Sequence, residues 1–330
     1  MSRQVVFRGI EQLETIEVAR PDLGEDDVRL SIDACGVCGS DVTSYFKGLY
    51  VKPGQVMGHE VVGTIVEVGT AALKVWSIGQ QVMVRPLNSC GTCRYCRRAE
   101  QNLCGKSAEL SLAYGWPGAY ADEMVVYGAY TEDSLIPLGR DVRVEDAVWT
   151  EPLAVSLHAL NRAQLAIGES VAVIGAGSVG LSLTAAAWAG GSQVHVVEPR
   201  SVRRDLAIEA GAIAATSPGE YPGRFDVVFD TSGVESGAEE GLRLLQPGGR
   251  LILVGVSDQD VPLRPDSPVL GAFGYRADEF ARAASLINRG KVKLGNLVTH
   301  RFGLDAVEQA LITSKRVPAA GKVIVIPKSG

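Results

Sequence analysis

Six cysteines occur in this 330-residue chain, and four of them fall in one short run, Cys90-Gly91-Thr92-Cys93-Arg94-Tyr95-Cys96 followed by Cys104. Thiolates at this spacing can wrap a tetrahedral zinc ion, because soft sulfur suits zinc and four such ligands close its coordination sphere. A site of that kind leaves no position for substrate, so its role is structural. A group of buried free cysteines is the plainer alternative, but four within fifteen residues of an otherwise cysteine-poor chain argue against it. An iron–sulfur cluster is a weaker competitor, since the run lacks the Cys-Pro ending typical of such clusters.

A second set of candidates is dispersed. Cys38 lies in Cys35-Gly36-Val37-Cys38-Gly39-Ser40-Asp41, His59 and Glu60 follow in Met57-Gly58-His59-Glu60, and Glu151 stands in Trp149-Thr150-Glu151-Pro152-Leu153. Neither of the first two pieces is specific alone. Together a thiolate, an imidazole and a carboxylate can make a catalytic zinc site with one exchangeable position. Cys35 and Cys38 form a Cys-x-x-Cys, but no thioredoxin-like context surrounds them, and Cys35 reads as a small buried residue. His158, His195 and His300 are read as structural, with His300 placed near a turn.

A third motif binds phosphate. Val171-Ala172-Val173-Ile174 runs into Gly175-Ala176-Gly177-Ser178-Val179-Gly180 and then an apolar helical stretch to Trp188. Strand, glycine-rich turn and helix in this order let the chain approach a pyrophosphate closely and meet it with free N–H groups and the positive end of the helix dipole. Glu198 closes the next strand, where an acidic side chain binds the adenosine ribose hydroxyls and repels a 2′-phosphate, which favours NAD over NADP. Arg200, Arg203 and Arg204 argue the other way, because a guanidinium there can pair with that phosphate.

The elements that carry these residues change in kind near residue 147. Before it, Val28–Ala34 alternates apolar and polar residues, and further strands are expected at 13–18, 61–68, 81–85 and 123–126, separated by Gly and Pro turns. That pattern favours a twisted, partly closed antiparallel barrel. After it, strands at 171–174, 193–197, 226–229 and 250–254 alternate with helical stretches at 203–210 and 239–245, which implies a parallel sheet. Helical 279–288 and 304–313 and a terminal strand at 322–326 read as a return to the first domain.

The net charge is −6, and no basic cluster exceeds pairs such as Arg97-Arg98, so nucleic acid has little to hold and a small-molecule partner is expected. Residues 171–197 carry no charged Asp, Glu, Lys or Arg, but five glycines interrupt them, which suits a buried α/β unit and not a membrane span. No secretory leader is evident at the N-terminus, and a cytoplasmic protein without membrane association is expected.

Taken in order, the Cys38 motif, Gly58-His59-Glu60, the lobe at 90, 93, 96 and 104, Glu151-Pro152-Leu153 and the glycine fingerprint resemble the zinc-dependent medium-chain dehydrogenase/reductase family. The resemblance spans essentially the whole chain and is nearest to the polyol (sorbitol) dehydrogenase branch. It implies a GroES-like, partly open β-barrel catalytic domain at 1–146 and 275–330, with the zinc lobe at 88–106, and a doubly wound Rossmann domain at 147–274. It implies two zinc ions per subunit, NAD as the nicotinamide cofactor in preference to NADP, and a homodimer or homotetramer. By the same resemblance Cys38 and His59 are zinc ligands, and Glu151 takes the place of a second cysteine in other alcohol dehydrogenases. Glu60 binds the zinc or sits beside it, and Glu60 and Glu151 exchange with water during turnover. Asp41 accepts a hydrogen bond from His59, Ser40 binds the substrate hydroxyl and starts the proton relay, and Arg203 packs on adenine. Val254 belongs to the nicotinamide-side loops that the segments 226–233 and 245–255 resemble.

Two departures bear on the chemistry. Thr43 stands where many relatives carry a relay histidine, so the proton's exit is open, since a hydroxyl does not titrate near neutral pH. Gly274, beside Tyr275, stands where polyol dehydrogenases carry an arginine, which argues against a sorbitol-like substrate. The expected reaction is hydride transfer between a polar secondary alcohol and NAD, giving the ketone; polyols, sugars, cyclitols and secondary-metabolite hydroxyls are the candidate substrates. Tyr45, Phe46, Tyr114 and Trp116 are candidates for the pocket wall. The alternatives are a zincless enone or quinone reductase of the same superfamily and an NAD-binding sensor without catalysis.

Overall fold

The computed structural model describes residues 1–129, 134–256, 260 and 264–327. The chain forms two compact units, Met1–Glu151 with Arg276–Gly330, and Pro152–Tyr275. The first boundary falls a few residues later than the sequence suggests, because the segment after 146 is anchored in the first unit. There Thr150 Oγ1 donates to Ala147 O at 2.7 Å and lies 3.0 Å from Met83 Sδ, on strand Gln81–Val84.

The first unit is built on a sheet whose strands lie in the order Val298–Phe302, Lys322–Val325, Val28–Gly36, Glu60–Val68, Gln81–Val84, Leu135–Pro137, with Glu123–Val126 also pairing Val28–Gly36. Val28–Gly36 is almost wholly buried, and its side chains share one core with a hairpin formed by Ser2–Gly9 and Gln12–Val18. The strands expected from the first half pair antiparallel, and the departure from that pattern lies at the edge added by the C-terminal segment. Val298–Phe302 runs parallel to Lys322–Val325 because helix Val307–Arg316 connects them, and only a crossover of that length returns the chain in the same direction. That edge also corrects the placement of His300, which lies inside strand Val298–Phe302 and not near a turn. Helix Gly39–Lys47, which the sequence reading passed over, follows directly from the central strand.

The second unit is a six-stranded sheet, parallel throughout. Its strands in chain order are Val171–Ile174, Val194–Val197, Ala214–Thr216, Phe225–Asp230, Leu245–Leu253 and Val269–Gly271, and they lie side by side as 3-2-1-4-5-6. This is the doubly wound dinucleotide-binding arrangement, with its crevice between the first and fourth strands. The two short strands Ala214–Thr216 and Val269–Gly271 carry too few residues for a period to show in sequence. Helix Ser178–Ala189 is buried over nearly its whole surface, which explains why its sequence is apolar all round instead of striped. Among the described residues, no helix is long and apolar enough to cross a membrane.

Candidate active site and metal centre

The dispersed candidates of the first unit are assembled by the central strand and its neighbours. Cys38 is the N-cap of helix Gly39–Lys47, in extended backbone, and the capping box is closed by Asp41, whose Oδ2 accepts the Cys38 N–H at 3.0 Å. The other oxygen of Asp41 accepts the Gly58 N–H at 3.3 Å, and the Tyr120 hydroxyl donates to Oδ2 at 3.1 Å. One buried carboxylate therefore ties the Cys38 loop to the residue before His59. Gly58 is required there for two reasons: its φ is +89°, and a Cβ would lie 2.8 Å from both Cys35 Sγ and the Tyr120 ring.

His59 Nδ1 faces Asp41 Oδ1 at 3.6 Å, too far for the direct hydrogen bond expected from the sequence, so the contact is one of charge. Burial disfavours a charged ring, yet Tyr114, Asp41 and Cys38 outweigh it and hold the imidazole well above its ordinary range. Asp41 is also fully buried, but His59 and the two backbone N–H groups keep its carboxyl below the usual value. Glu151 is pushed up to about 7 by burial first; His59 and Lys322 oppose the rise, while Glu60 and Asp41 add to it. These mutual effects put Cys38, Asp41, His59, Glu60 and Glu151 in one electrostatic neighbourhood. A buried imidazole among anions, with Nδ1 lacking a hydrogen-bond partner among the described groups, fits a cation-binding centre. The donors of Cys38, His59 and Glu151 do not close to the spacing seen in the cysteine lobe, which alone among the described residues forms a tight ligand cluster.

Two residues that the sequence reading did not single out, Lys322 and Trp149, belong to this site. Lys322, at the start of strand Lys322–Val325, and Glu60 are each wholly buried and form an ion pair. Trp149 lies beside them, its ring 5.3 Å from Lys322 Nζ. The sequence signal was present but faint: a lysine opening an otherwise apolar strand, Lys322-Val323-Ile324-Val325.

Of the four aromatic pocket candidates, only Tyr114 reaches the centre, its hydroxyl 3.2 Å from Ser40 Oγ and its ring 5.7 Å from that of His59. Tyr45 is core packing, edge-on to Phe46 at 4.8 Å with its hydroxyl on Glu308; Phe46 lies under Lys315, and Trp116 packs on Tyr127 at 5.2 Å. Thr43 lies half-buried on the helix after Cys38. Burial, Asp41 and Glu60 push the Cys35 thiol well up, so it is held as an unreactive thiol, and it is not disulfide-bonded.

The cysteine quartet is closed. Donor atoms of Cys90, Cys93, Cys96 and Cys104 all lie within 4.8 Å of one another. N–H groups point inward at the sulfurs: Cys93 N lies 3.4 Å from Cys90 Sγ, and Cys90 N 3.4 Å from Cys104 Sγ. The backbone N–H groups of Thr92 and Cys93, with the Thr92 hydroxyl, bring the Cys90 thiol down to about 6, which supplies the thiolate that zinc requires.

In the second unit the glycines of the turn act differently. Gly175 has φ +93°, a Cβ at Gly180 would sit 2.0 Å from Gly175 O, and a Cβ at Gly177 would meet nothing within 4 Å, leaving that side open. Gly177 caps helix Ser178–Ala189 without a side chain on the first N–H groups, while the Val179 carbonyl accepts from Ser182 Oγ at 3.0 Å. Glu198 is buried just beyond strand Val194–Val197, its oxygens accepting Ala176 N at 2.9 Å and Arg200 N at 3.1 Å. Arg204 Nη1 is bound to the carbonyls of Glu198 and Pro199 at 2.9 and 3.0 Å, and burial together with Arg200 lowers the Arg203 guanidinium. Val254 follows strand Leu245–Leu253, its N–H on Asp230 O at 2.8 Å, and lines a cleft of about 260 Å³ with Asp230, Val234, Gly255 and Phe273. Gly274, beside Tyr275, adopts φ +59°.

Residues 24–138 match the family pattern described as the alcohol dehydrogenase GroES-like domain, and residues 178–289 that of the zinc-binding dehydrogenases. The chain is 32% identical to sorbitol dehydrogenase of Arabidopsis thaliana, across 96% of this chain and 93% of that protein. It is 30% identical to D-xylulose reductase A of Aspergillus oryzae, across 92% of this chain and 91% of that one. The crystal structure of galactitol-1-phosphate dehydrogenase from Escherichia coli superposes with a TM-score of 0.87 at 28% identity, covering 98% of this chain and 100% of that chain.

Proposed function

The chain belongs to the zinc-binding alcohol dehydrogenases of the medium-chain dehydrogenase/reductase family, and from that premise we propose how its own residues carry the reaction. The reaction is hydride exchange between an alcohol and a nicotinamide cofactor, giving a carbonyl compound. Cys38, His59 and Glu151 hold a catalytic zinc, with Glu60 beside it, and Cys90, Cys93, Cys96 and Cys104 hold a structural one, making two per chain. When bound, the catalytic zinc supplies Lewis acidity that lowers the pKa of the alcohol oxygen. Asp41 fixes the His59 loop against the Cys38 loop. Ser40, in contact with Tyr114, orients the substrate hydroxyl and starts the proton relay, taking that proton as it passes its own on toward solvent. The observation that carries this reading is the buried charge neighbourhood of His59, in which Asp41 bridges the Cys38 loop and Gly58 and the carboxylate of Glu151 is coupled to the same ring.

NAD is the preferred cofactor. Support comes from the buried Glu198 carboxylate facing the glycine turn and from Arg204, whose Nη1 is held by the carbonyls of Glu198 and Pro199. The substrate class is a polar secondary alcohol, in keeping with the polyol and sugar substrates named for the relatives, with Gly274 in place of the arginine arguing for a smaller or differently placed set of hydroxyls. Metal analysis combined with a substrate panel tests the reading. Two zinc per chain, falling to one in Cys38→Ser with loss of NADH production from every alcohol, is expected; a single zinc bound by the lobe alone would refute it.

A further inference from the structure

The backbone that carries Tyr114 is fixed from below. Ala113 has φ +66°, the left-handed region that an alanine rarely adopts, and the N–H groups of Gly115 and Trp116 both bond to Ser111 O at 3.0 Å. A Cβ on Gly115 would lie 1.9 Å from Glu109 O, so the turn closes tightly on the chain that precedes it. Ser111 is itself buried, its Oγ donating to Ser107 O at 2.7 Å and accepting Asn88 N at 3.1 Å. This strained and anchored turn sets the Tyr114 ring against that of His59 and its hydroxyl 3.2 Å from Ser40 Oγ. Both Ser40 and Tyr114 are half-buried. Each hydroxyl has one O–H and two lone pairs, and a phenol keeps its proton at neutral pH. With Tyr114 donating to Ser40, the Ser40 O–H remains to donate and the phenol oxygen remains to accept.

We propose that Tyr114 is a specificity-determining residue that reads a second hydroxyl, on the carbon next to the reacting one, so that the substrate is a vicinal diol and the product an α-hydroxy ketone. This rests on the assignment of the reacting hydroxyl to Ser40. Two gauche hydroxyls on neighbouring carbons stand about 3 Å apart, which matches the separation of the two protein hydroxyls. The donors then run head to tail. Once the reacting hydroxyl has given up its proton, Ser40 donates to that oxygen, Tyr114 donates to Ser40, and the neighbouring substrate hydroxyl donates to the phenol oxygen. Every O–H is used once, and the ring closes through the two carbons, an arrangement in which each bond polarises the next. Hydride leaves the reacting carbon for the nicotinamide, and the neighbouring hydroxyl keeps its proton. A mono-alcohol engages Ser40 alone and sets a carbon against the phenol oxygen, which then loses water without gaining a partner.

The test uses full-length, zinc-loaded protein with NAD and two matched pairs of alcohols, butane-2,3-diol against butan-2-ol and cyclohexane-1,2-diol against cyclohexanol. The wild type is expected to prefer the diol by about 100-fold in kcat/KM in at least one pair. Tyr114→Phe deletes the hydroxyl and keeps the ring against His59; it should remove about tenfold or more of that preference through the KM for the diol, with the constants for the mono-alcohol unchanged. Calorimetric titration of the NADH-bound protein should show the same split, the diol binding about tenfold more weakly in the variant and the mono-alcohol as before. Tyr114→Leu serves in its place if the phenylalanine variant does not fold. Equal losses for diol and mono-alcohol, or a wild type that shows no diol preference in either pair, overturn the inference. A wild type that oxidises no alcohol of a wider panel refutes the reaction assigned to the site, whereas one that oxidises mono-alcohols as readily as diols refutes only the part given to Tyr114.

Discussion

The two candidate metal centres of the first unit are built on opposite plans. The lobe draws its donors from one short run of chain, all sulfur, already within a few ångströms of each other, with its own backbone N–H groups lowering the Cys90 thiol. The other centre draws on residues 38, 59, 60, 151 and 322, and depends on buried charges on two strands and two helices to hold them. A local site can be complete with little help from the fold around it. A dispersed one exists only if the fold is right, and its groups are tuned by neighbours far away in sequence, which is what an open coordination position for chemistry demands.

Substitutions at the two centres should separate them. The largest effect on turnover is expected from Cys38→Ser, about 10³-fold or more in kcat/KM, a loss of several kcal/mol of transition-state stabilisation; NAD binding, followed by fluorescence titration, should be unchanged. Cys93→Ser in the lobe should act the other way round, lowering the Tm by roughly 10 °C through loss of metal-coupled folding, with a much smaller fall in kcat of the folded protein. If Cys93→Ser proved as damaging to turnover as Cys38→Ser with no change in Tm, the division between a structural and a catalytic centre would fall.

Asp41→Asn comes next. It removes the charge that faces His59 and one carboxylate acceptor, and should weaken metal retention at that centre by about 10–100-fold, read by chelator competition, while the lobe keeps its metal. Glu198→Ala should raise the KM for NAD about tenfold and narrow the gap to NADP, measured as the ratio of the two kcat/KM values.

The smallest effect is expected from Thr92→Val, which deletes the hydroxyl 3.7 Å from Cys90 Sγ. In the metal-free protein, alkylation of Cys90 should turn on as pH rises through about 6, since only the thiolate reacts, and the midpoint should move up in the variant. An unchanged midpoint would mean that the backbone N–H groups of Thr92 and Cys93 alone set the thiolate.

The same contrast explains what could be read from sequence. The lobe and the glycine turn were legible because local spacing is their mechanism: four thiols in one run, and strand, turn and helix in immediate succession. The order of elements in the second unit followed from its alternating pattern, though not the short strands Ala214–Thr216 and Val269–Gly271. Cys38, His59 and Glu151 could be paired only through the resemblance, since no spacing links residues so far apart. Lys322 escaped because its role comes from strand neighbours: Val28–Gly36 and Lys322–Val325 pair antiparallel through Gly36 and Ile324, and that register was not available from composition or period. The His59–Asp41 hydrogen bond was expected from the resemblance, and the structure has a longer contact of 3.6 Å in its place, with Asp41 accepting from two backbone N–H groups and a phenol.

The cysteine run is an excursion whose two ends are clamped together. Asn88 Nδ2 donates to Leu110 O at 3.0 Å, Ser107 Oγ to Asn88 O at 3.0 Å, and Leu112 N to Pro86 O at 3.1 Å. A loop that leaves and re-enters a scaffold through one narrow neck can be shortened, lengthened or exchanged without rerouting the chain on either side, because the stump is already knotted by its own hydrogen bonds. This part of the molecule is therefore the natural place to graft a foreign segment or a reporter.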